Sequence, residues 1–315
     1  MASQVANNTS TSSLIYGCMG LGGGWDSAPI SKEQIQQTHT VIDAALESGI
    51  TLFDHADIYT LGKAEQVFGT ALKERPCLAD IIRLQSKCAI RFADQNGPAR
   101  YDFSKSYLLD AVDHILSRLG VEQLDTLLLH RPDPLMVPEE VAEAVQALQQ
   151  AGKIRQLGVS NMNGHQMALL QSALNTPIVC NQIEMSLTKL DWLEQSIGTG
   201  VSSSLGTIEY CRMHDVSIQA WGSLSQGILT GKDTSSQSQD IQDTAHRVTQ
   251  LSEKYSVSKE AIVLAWLMRH PANINPVIGT TNPARIAACA QAKDIELSRA
   301  DWYLLFESAR GQQVP

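Results

Sequence analysis

The segment Phe53-Asp54-His55-Ala56-Asp57-Ile58-Tyr59 sets a carboxylate and a phenol five positions apart, directly after the apolar run Ile50 to Phe53. An apolar run ending in an acid reads as a buried strand that delivers a carboxylate to the rim of a sheet, with the phenol in the loop just beyond. The same grammar recurs twice, since Lys87 closes the run Ile81 to Ser86 and His130 closes Thr126 to Leu129. Four polar side chains at the ends of three apolar strands predict one shared site, and the chemistry they offer is proton transfer. A phenol with an ordinary pKa near ~10 is a poor acid at neutral pH, and a neighbouring ammonium lowers that value by favouring the phenolate. Lys87 can supply this charge, Asp54 can hold Lys87 in an ion pair, and His130 can orient the acceptor or share the proton. Asp57 competes with Asp54 as the buried acid, although the spacing to Tyr59 favours Asp54. Taken singly, each residue has a plainer explanation: an Asx turn, a packed ring, a solvated lysine, a satisfied core histidine.

The elements that would position these groups are legible in the pattern. Short apolar runs at Leu14–Tyr16, Ile50–Phe53, Ile81–Leu84, Thr126–Leu129, Gln156–Val159, Ile178–Cys180, Val216–Ala220 and Pro276–Ile278 alternate with helical periodicity. That alternation predicts parallel strands joined by crossover helices, and eight strands is the count of a closed (β/α)8 TIM barrel with its site at the C-terminal mouth. Ser31 and Gln34 can form a capping box ahead of Ile35, Val41, Ile42, Ala45 and Leu46. Leu108 to Leu119 repeats the stripe before Gly120, Pro138 opens a helix that Gly152 can end, and Asn163 can cap the next. Later helices are expected over Ser256–Arg269 and Pro283–Ala292. Two polar segments, 188–204 and 230–244, follow strands and should overhang the mouth as loops, either shaping a pocket or remaining mobile.

Composition bounds the partners. The chain has 315 residues, a length that α/β barrels routinely hold in one domain, so residues 14–315 are expected to form one barrel behind a disordered lead-in over 1–13. That Ser/Thr/Asn-rich start lacks the basic and apolar regions of a secretory signal, and no stretch is apolar enough to span a bilayer. A net charge of -9 argues against a nucleic-acid partner. The six cysteines show neither a C-x-x-C pair nor metal-ligand spacing, which fits reduced thiols in a cytoplasmic protein with no metal site.

The blocks Asp54-His55-Ala56-Asp57-Ile58-Tyr59, Ser86-Lys87-Cys88, His130-Arg131-Pro132-Asp133-Pro134, Gly158-Val159-Ser160-Asn161 and Asn181-Gln182 occur in an order that resembles the aldo-keto reductases. The likeness runs from about Leu14 to Pro315 and is strongest to the bacterial YdhF-like oxidoreductases. It implies reduction of an aldehyde or ketone to an alcohol by hydride from a nicotinamide, with Tyr59 as general acid. No G-x-G-x-x-G occurs, so the nicotinamide is expected across the barrel mouth rather than on a Rossmann domain.

By the same resemblance Ser160, Asn161 and Gln182 hydrogen-bond the carboxamide and Trp221 stacks on the ring. Ser223, Leu224 and Gly227 align with a pyrophosphate loop, where an ordinary turn explains them equally well. Thr280, Thr281 and Arg285 follow the last strand at a helix start suited to anions, and Arg285 matches the arginine that grips a 2′-phosphate. NADPH is therefore favoured, with NADH admitted. Two departures bear on that choice, since Gly279 stands where many relatives carry a lysine and Cys289 where an asparagine usually meets adenine. His55 marks the YdhF-like branch, as a structural hydrogen-bonding residue or part of the substrate pocket; Trp25 either walls that pocket or serves as a core or rim residue. Met162, Trp192 and the tail Arg310–Pro315 are further pocket candidates. The substrate is expected to be a small carbonyl compound, not further specified, and the oligomeric state is left open. A nicotinamide-binding regulatory or redox-sensing subunit and a Schiff-base aldolase built on Lys87 are the competing readings.

Overall fold

The computed structural model describes residues 14–95, 97–194 and 206–315; the lead-in over 1–13 and most of the first expected loop lie outside the described residues. Among the described residues ten strands occur in chain order: β1 (Ile15–Gly17), β2 (Leu52–Asp54), β3 (Arg83–Cys88), β4 (Ile90–Arg91), β5 (Arg100–Tyr101), β6 (Leu124–Leu129), β7 (Ile154–Ser160), β8 (Ile178–Glu184), β9 (Ser217–Trp221) and β10 (Asn275–Ile278). Eight of them close into a parallel barrel in the order β1-β10-β9-β8-β7-β6-β3-β2. The chain is a (β/α)8 TIM barrel. The remaining pair, β4 and β5, forms an antiparallel hairpin after β3 that the sequence reading did not anticipate.

Helices α1 (Lys32–Glu47), α2 (Lys63–Glu74), α3 (Lys105–Leu119), α4 (Pro138–Gln150), α5 (Gly164–Gln171), α6 (Asp191–Glu194), α7 (Thr207–Met213), α8 (Gln239–Tyr255), α9 (Lys259–Met268), α10 (Pro283–Ala290) and α11 (Arg299–Arg310) accompany the strands. Their starts follow local chemistry. Ser31 and Gln34 bond reciprocally ahead of α1, as do Asn163 and Gln166 ahead of α5. Gly120 ends α3 in the left-handed conformation that a glycine adopts without steric cost. Strands fully covered by helices must be apolar on both faces, which explains the continuous burial of Leu127, Leu128 and Leu129.

Two expectations change. The segment 230–244 is not loop throughout, because Ser238 precedes α8 and Thr244 is buried within that helix, its hydroxyl 3.1 Å from Ser308 of α11. The helix expected from Ser256 begins at Lys259, since Ser256 takes a left-handed φ of 54° and Ser258 caps Ala261. Among the described residues no helix is long and apolar enough to cross a membrane.

Candidate active site

Register brings the tetrad together. Asp54, the last residue of β2, pairs with Gln85 of β3, so Lys87 stands two residues further along the neighbouring strand. The ladder continues past β2, with His55 N donating to Gln85 O and Asp57 N to Lys87 O. The chain then reverses through Thr60, Leu61 and Gly62, whose φ values of 46°, 59° and 86° are all left-handed. A left-handed β-branched threonine is costly, and Thr60 is held there by its hydroxyl, which donates to Leu21 O at 3.1 Å. Tyr59 stands directly ahead of this turn, with its phenol oxygen 3.0 Å from Lys87 Nζ. Lys87 Nζ also donates to Asp54 Oδ2 at 2.7 Å and His55 O at 2.8 Å, so its three protons have three acceptors. His130, just after β6, sets its ring 6.0 Å from that of Tyr59 at 82°.

Burial decides the protonation states. Lys87 is 1% exposed; burial works to lower its pKa, but Asp54 and Tyr59 outweigh this and hold it above the ordinary value. A charged nitrogen with all three protons engaged is poorly placed for the nucleophilic attack that a Schiff base requires. The expectation that Lys87 lowers the Tyr59 pKa is half right. Lys87 does act in that direction, yet burial is the larger effect and Asp54 adds to it, so the phenol lies above its ordinary value. It holds its proton at neutral pH. Burial, then Lys87 and Arg131, push His130 down to about 2, so its imidazole is neutral. Asp57 is the acid left out of the tetrad: its Oδ1 has no partner, and burial together with Glu65 pushes it up to about 7.

A layer of glutamines supports Asp54 from inside the barrel. Asp54 Oδ1 accepts from Gln85 Nε2 at 2.6 Å and Gln182 Nε2 at 3.1 Å, and both amides meet Gln219 Oε1, at 2.7 and 2.9 Å. Gln85 and Gln219 were missed in the sequence. The signal was there, because Gln85 lies two before Lys87 and Gln219 two before Trp221, the spacing that puts strand side chains on one face.

The tetrad opens into a cavity of about 610 Å³ that runs over the C-terminal strand ends to Arg285. Asp54, Tyr59, His130, Ser160, Asn161, Gln182, Trp221, Ser223, Leu224, Gly227, Thr280, Arg285 and Trp25 all line it. Ser160, Asn161 and Trp221 are mutually oriented: Asn161 Nδ2 donates to Ser160 Oγ at 2.8 Å and Trp221 Nε1 to Asn161 Oδ1 at 3.1 Å. Ser223 Oγ donates to Val277 O at 2.8 Å and so ties the loop after β9 to β10. Gly227 takes a φ of 84°, open to glycine and strained for other residues.

Other expected residues fall elsewhere. Thr281 does not line the cavity. His55 is fully buried, edge-on to Phe68 at 4.6 Å, with neither ring nitrogen hydrogen-bonded. It is neither a pocket residue nor a structural hydrogen-bonding one, and burial, then Lys87, hold its pKa down to about 3. Met162 is buried in the core, Trp192 packs against it, and Arg310 bonds Glu194, so none of the three reaches the cavity. Conversely Arg131, Glu260 and Met19 line it and were not anticipated there.

The chain as a whole is similar to known proteins. The chain is 35% identical to the 6-dehydroglucose reductase of Agrobacterium fabrum over 96% of each chain. It is 34% identical to the oxidoreductase YdhF of Escherichia coli over 89% of this chain and 90% of that one. The glycerol dehydrogenase of Gluconobacter oxydans superposes with a TM-score of 0.80, covering 97% of this chain and 93% of that one at 23% identity, a likeness of fold. The profile of the Aldo/keto reductase family matches residues 13–309, nearly the whole barrel with all four tetrad positions inside it, and the chain therefore belongs to the aldo/keto reductase family.

Proposed function

We propose that this oxidoreductase reduces a hydroxylated aldehyde with NADPH as hydride donor and Tyr59 as general acid. The observation that carries the reading is the chain of contacts Asp54–Lys87–Tyr59, at 2.7 and 3.0 Å, ending at a phenol on the cavity wall. The residues present fit a nicotinamide dinucleotide: an amide and hydroxyl cluster at Ser160, Asn161 and Gln182, an indole at Trp221, and an arginine at one end of the same continuous cavity. When bound, the nicotinamide supplies the hydride. Trp221 gives its ring a flat apolar face, and Asn161, braced by Ser160 and Trp221, offers amide groups to the carboxamide.

Tyr59 donates its proton to the carbonyl oxygen as charge develops there. Lys87, charged and hydrogen-bonded to the phenol oxygen, stabilises the phenolate left behind, and Asp54 with its glutamine layer fixes Lys87 in place. Neutral His130 stands beside the phenol to orient the carbonyl without competing for its proton. For the substrate class the relevant feature is Arg131, whose guanidinium lies 5.5 Å over the Trp221 ring. No hydrogen bond or ion pair joins it to another described residue, so its donors are available to hydroxyls of a substrate, while Trp25 and Ile58 offer apolar surface to carbon. The 6-dehydroglucose reductases among the relatives are named for a substrate of this kind. A panel of sugar-derived, aliphatic and aromatic aldehydes, assayed by loss of nicotinamide absorbance with NADPH and with NADH, tests the reading. Preference for hydroxylated aldehydes that Arg131→Leu abolishes supports it; turnover of none of the panel refutes it.

A further inference from the structure

One end of the cavity is walled by Gly227, Glu260 and Arg285, which lie against one another. Glu260 stands in the first turn of α9. Its side chain is 13% exposed and its Oε1 lies 3.4 Å from Arg285 Nε. Arg285 occupies the first turn of α10, and its Nη2 faces Gly227, where an added Cβ would sit 3.4 Å away. Lys232 is exposed and does not line the cavity, although its Cε comes 3.9 Å from the same Cβ position. Among the described residues that line this end there is thus one cation and one anion, in contact with each other.

We propose that Glu260 is a specificity-determining residue that holds the preference for NADPH over NADH small, by neutralising Arg285 and setting a carboxylate beside the adenosine 2′ position. A 2′-phosphate, at about -1.5 to -2 charge near pH 7, gains from Arg285 but is opposed by Glu260. A free ribose hydroxyl instead finds a carboxylate that accepts its hydrogen bond. The inference rests on the nicotinamide reading above and adds to it a residue that no part of the tetrad or the carboxamide cluster touches.

Titration of NADPH and of NADH against the intact chain, followed by quenching of tryptophan fluorescence, tests it on the parent, Glu260→Gln and Glu260→Ala. Both variants should bind NADPH on the order of tenfold more tightly than the parent does, with NADH no tighter, because a like charge near the phosphate has been removed. Weaker NADPH binding in both variants would show that Glu260 serves to orient Arg285, and would overturn the proposal, as would an unchanged ratio of the two affinities. Binding of neither dinucleotide by the parent would overturn the nicotinamide reading itself, and this proposal with it.

Discussion

Replacing Tyr59 by phenylalanine removes one oxygen and leaves the rest of the site nearly as it stands. The ring keeps its contact with His130 at 6.0 Å, and Lys87 Nζ keeps Asp54 Oδ2 and His55 O while losing only its third acceptor. The stability cost is therefore bounded by one hydrogen bond to a charged group, ~1.5 to 3 kcal/mol, and folding should survive. Loss of a general acid lowers turnover ~100- to 10,000-fold, a barrier increase of about 3 to 5.5 kcal/mol. Equilibrium binding by fluorescence and single-turnover hydride transfer, measured on the same samples, separate the two effects. The expected result is parental cofactor affinity with transfer slowed by at least ~100-fold. The pH profile adds an independent check, because a phenol held above its ordinary pKa stays protonated through neutral pH, so the parent should show no loss of an acid between pH 6 and about 9. A variant that binds the cofactor normally and turns over within about tenfold of the parent would refute the assignment of Tyr59.

Three further predictions follow from the same geometry. Lys87→Met leaves Asp54, 2% exposed, with amide donors alone and should cost ~3 to 5 kcal/mol; since protonation relieves an unpaired buried carboxylate, the gap in melting temperature to the parent should narrow from pH 7 to 4, and a constant gap would count against this account. Asp57, with a folded pKa raised to about 7, contributes stability below its unfolded value that is lost as pH rises through 7, so Asp57→Asn should stabilise the fold increasingly from pH 5 to 8, up to a ceiling of about 4 kcal/mol, read as a growing gain in melting temperature; a gain independent of pH speaks against it. Arg285→Ala should weaken NADPH by ~1.5 to 3 kcal/mol and NADH far less, whereas equal losses in fluorescence titrations would show that Arg285 does not read the 2′-phosphate.

Much of this architecture is written in short-range pattern. The strand ends at Asp54, Lys87 and His130, the capping box at Ser31 and Gln34, the stop at Gly120 and the start at Pro138 each depend on a few neighbouring residues, whose steric and hydrogen-bonding preferences act within one turn or one strand. The family blocks added the order of the tetrad. Elements with weak local signals were not legible: α8 is polar over most of its length and buries Thr244, Val248 and Leu251 against neighbours that only the folded chain supplies. The closure of the cavity and the contact of Glu260 with Arg285, 25 residues apart in the chain, depend likewise on how helices pack. The same holds for the glutamine layer, which joins residues 85, 182 and 219 across the barrel. Sequence gave the Tyr59–Lys87 pairing and the direction of the lysine's influence, but the phenol's net shift is a contest between that charge and desolvation. Desolvation sums over every atom around the site, wherever in the chain it comes from, and so only the tertiary structure could decide it.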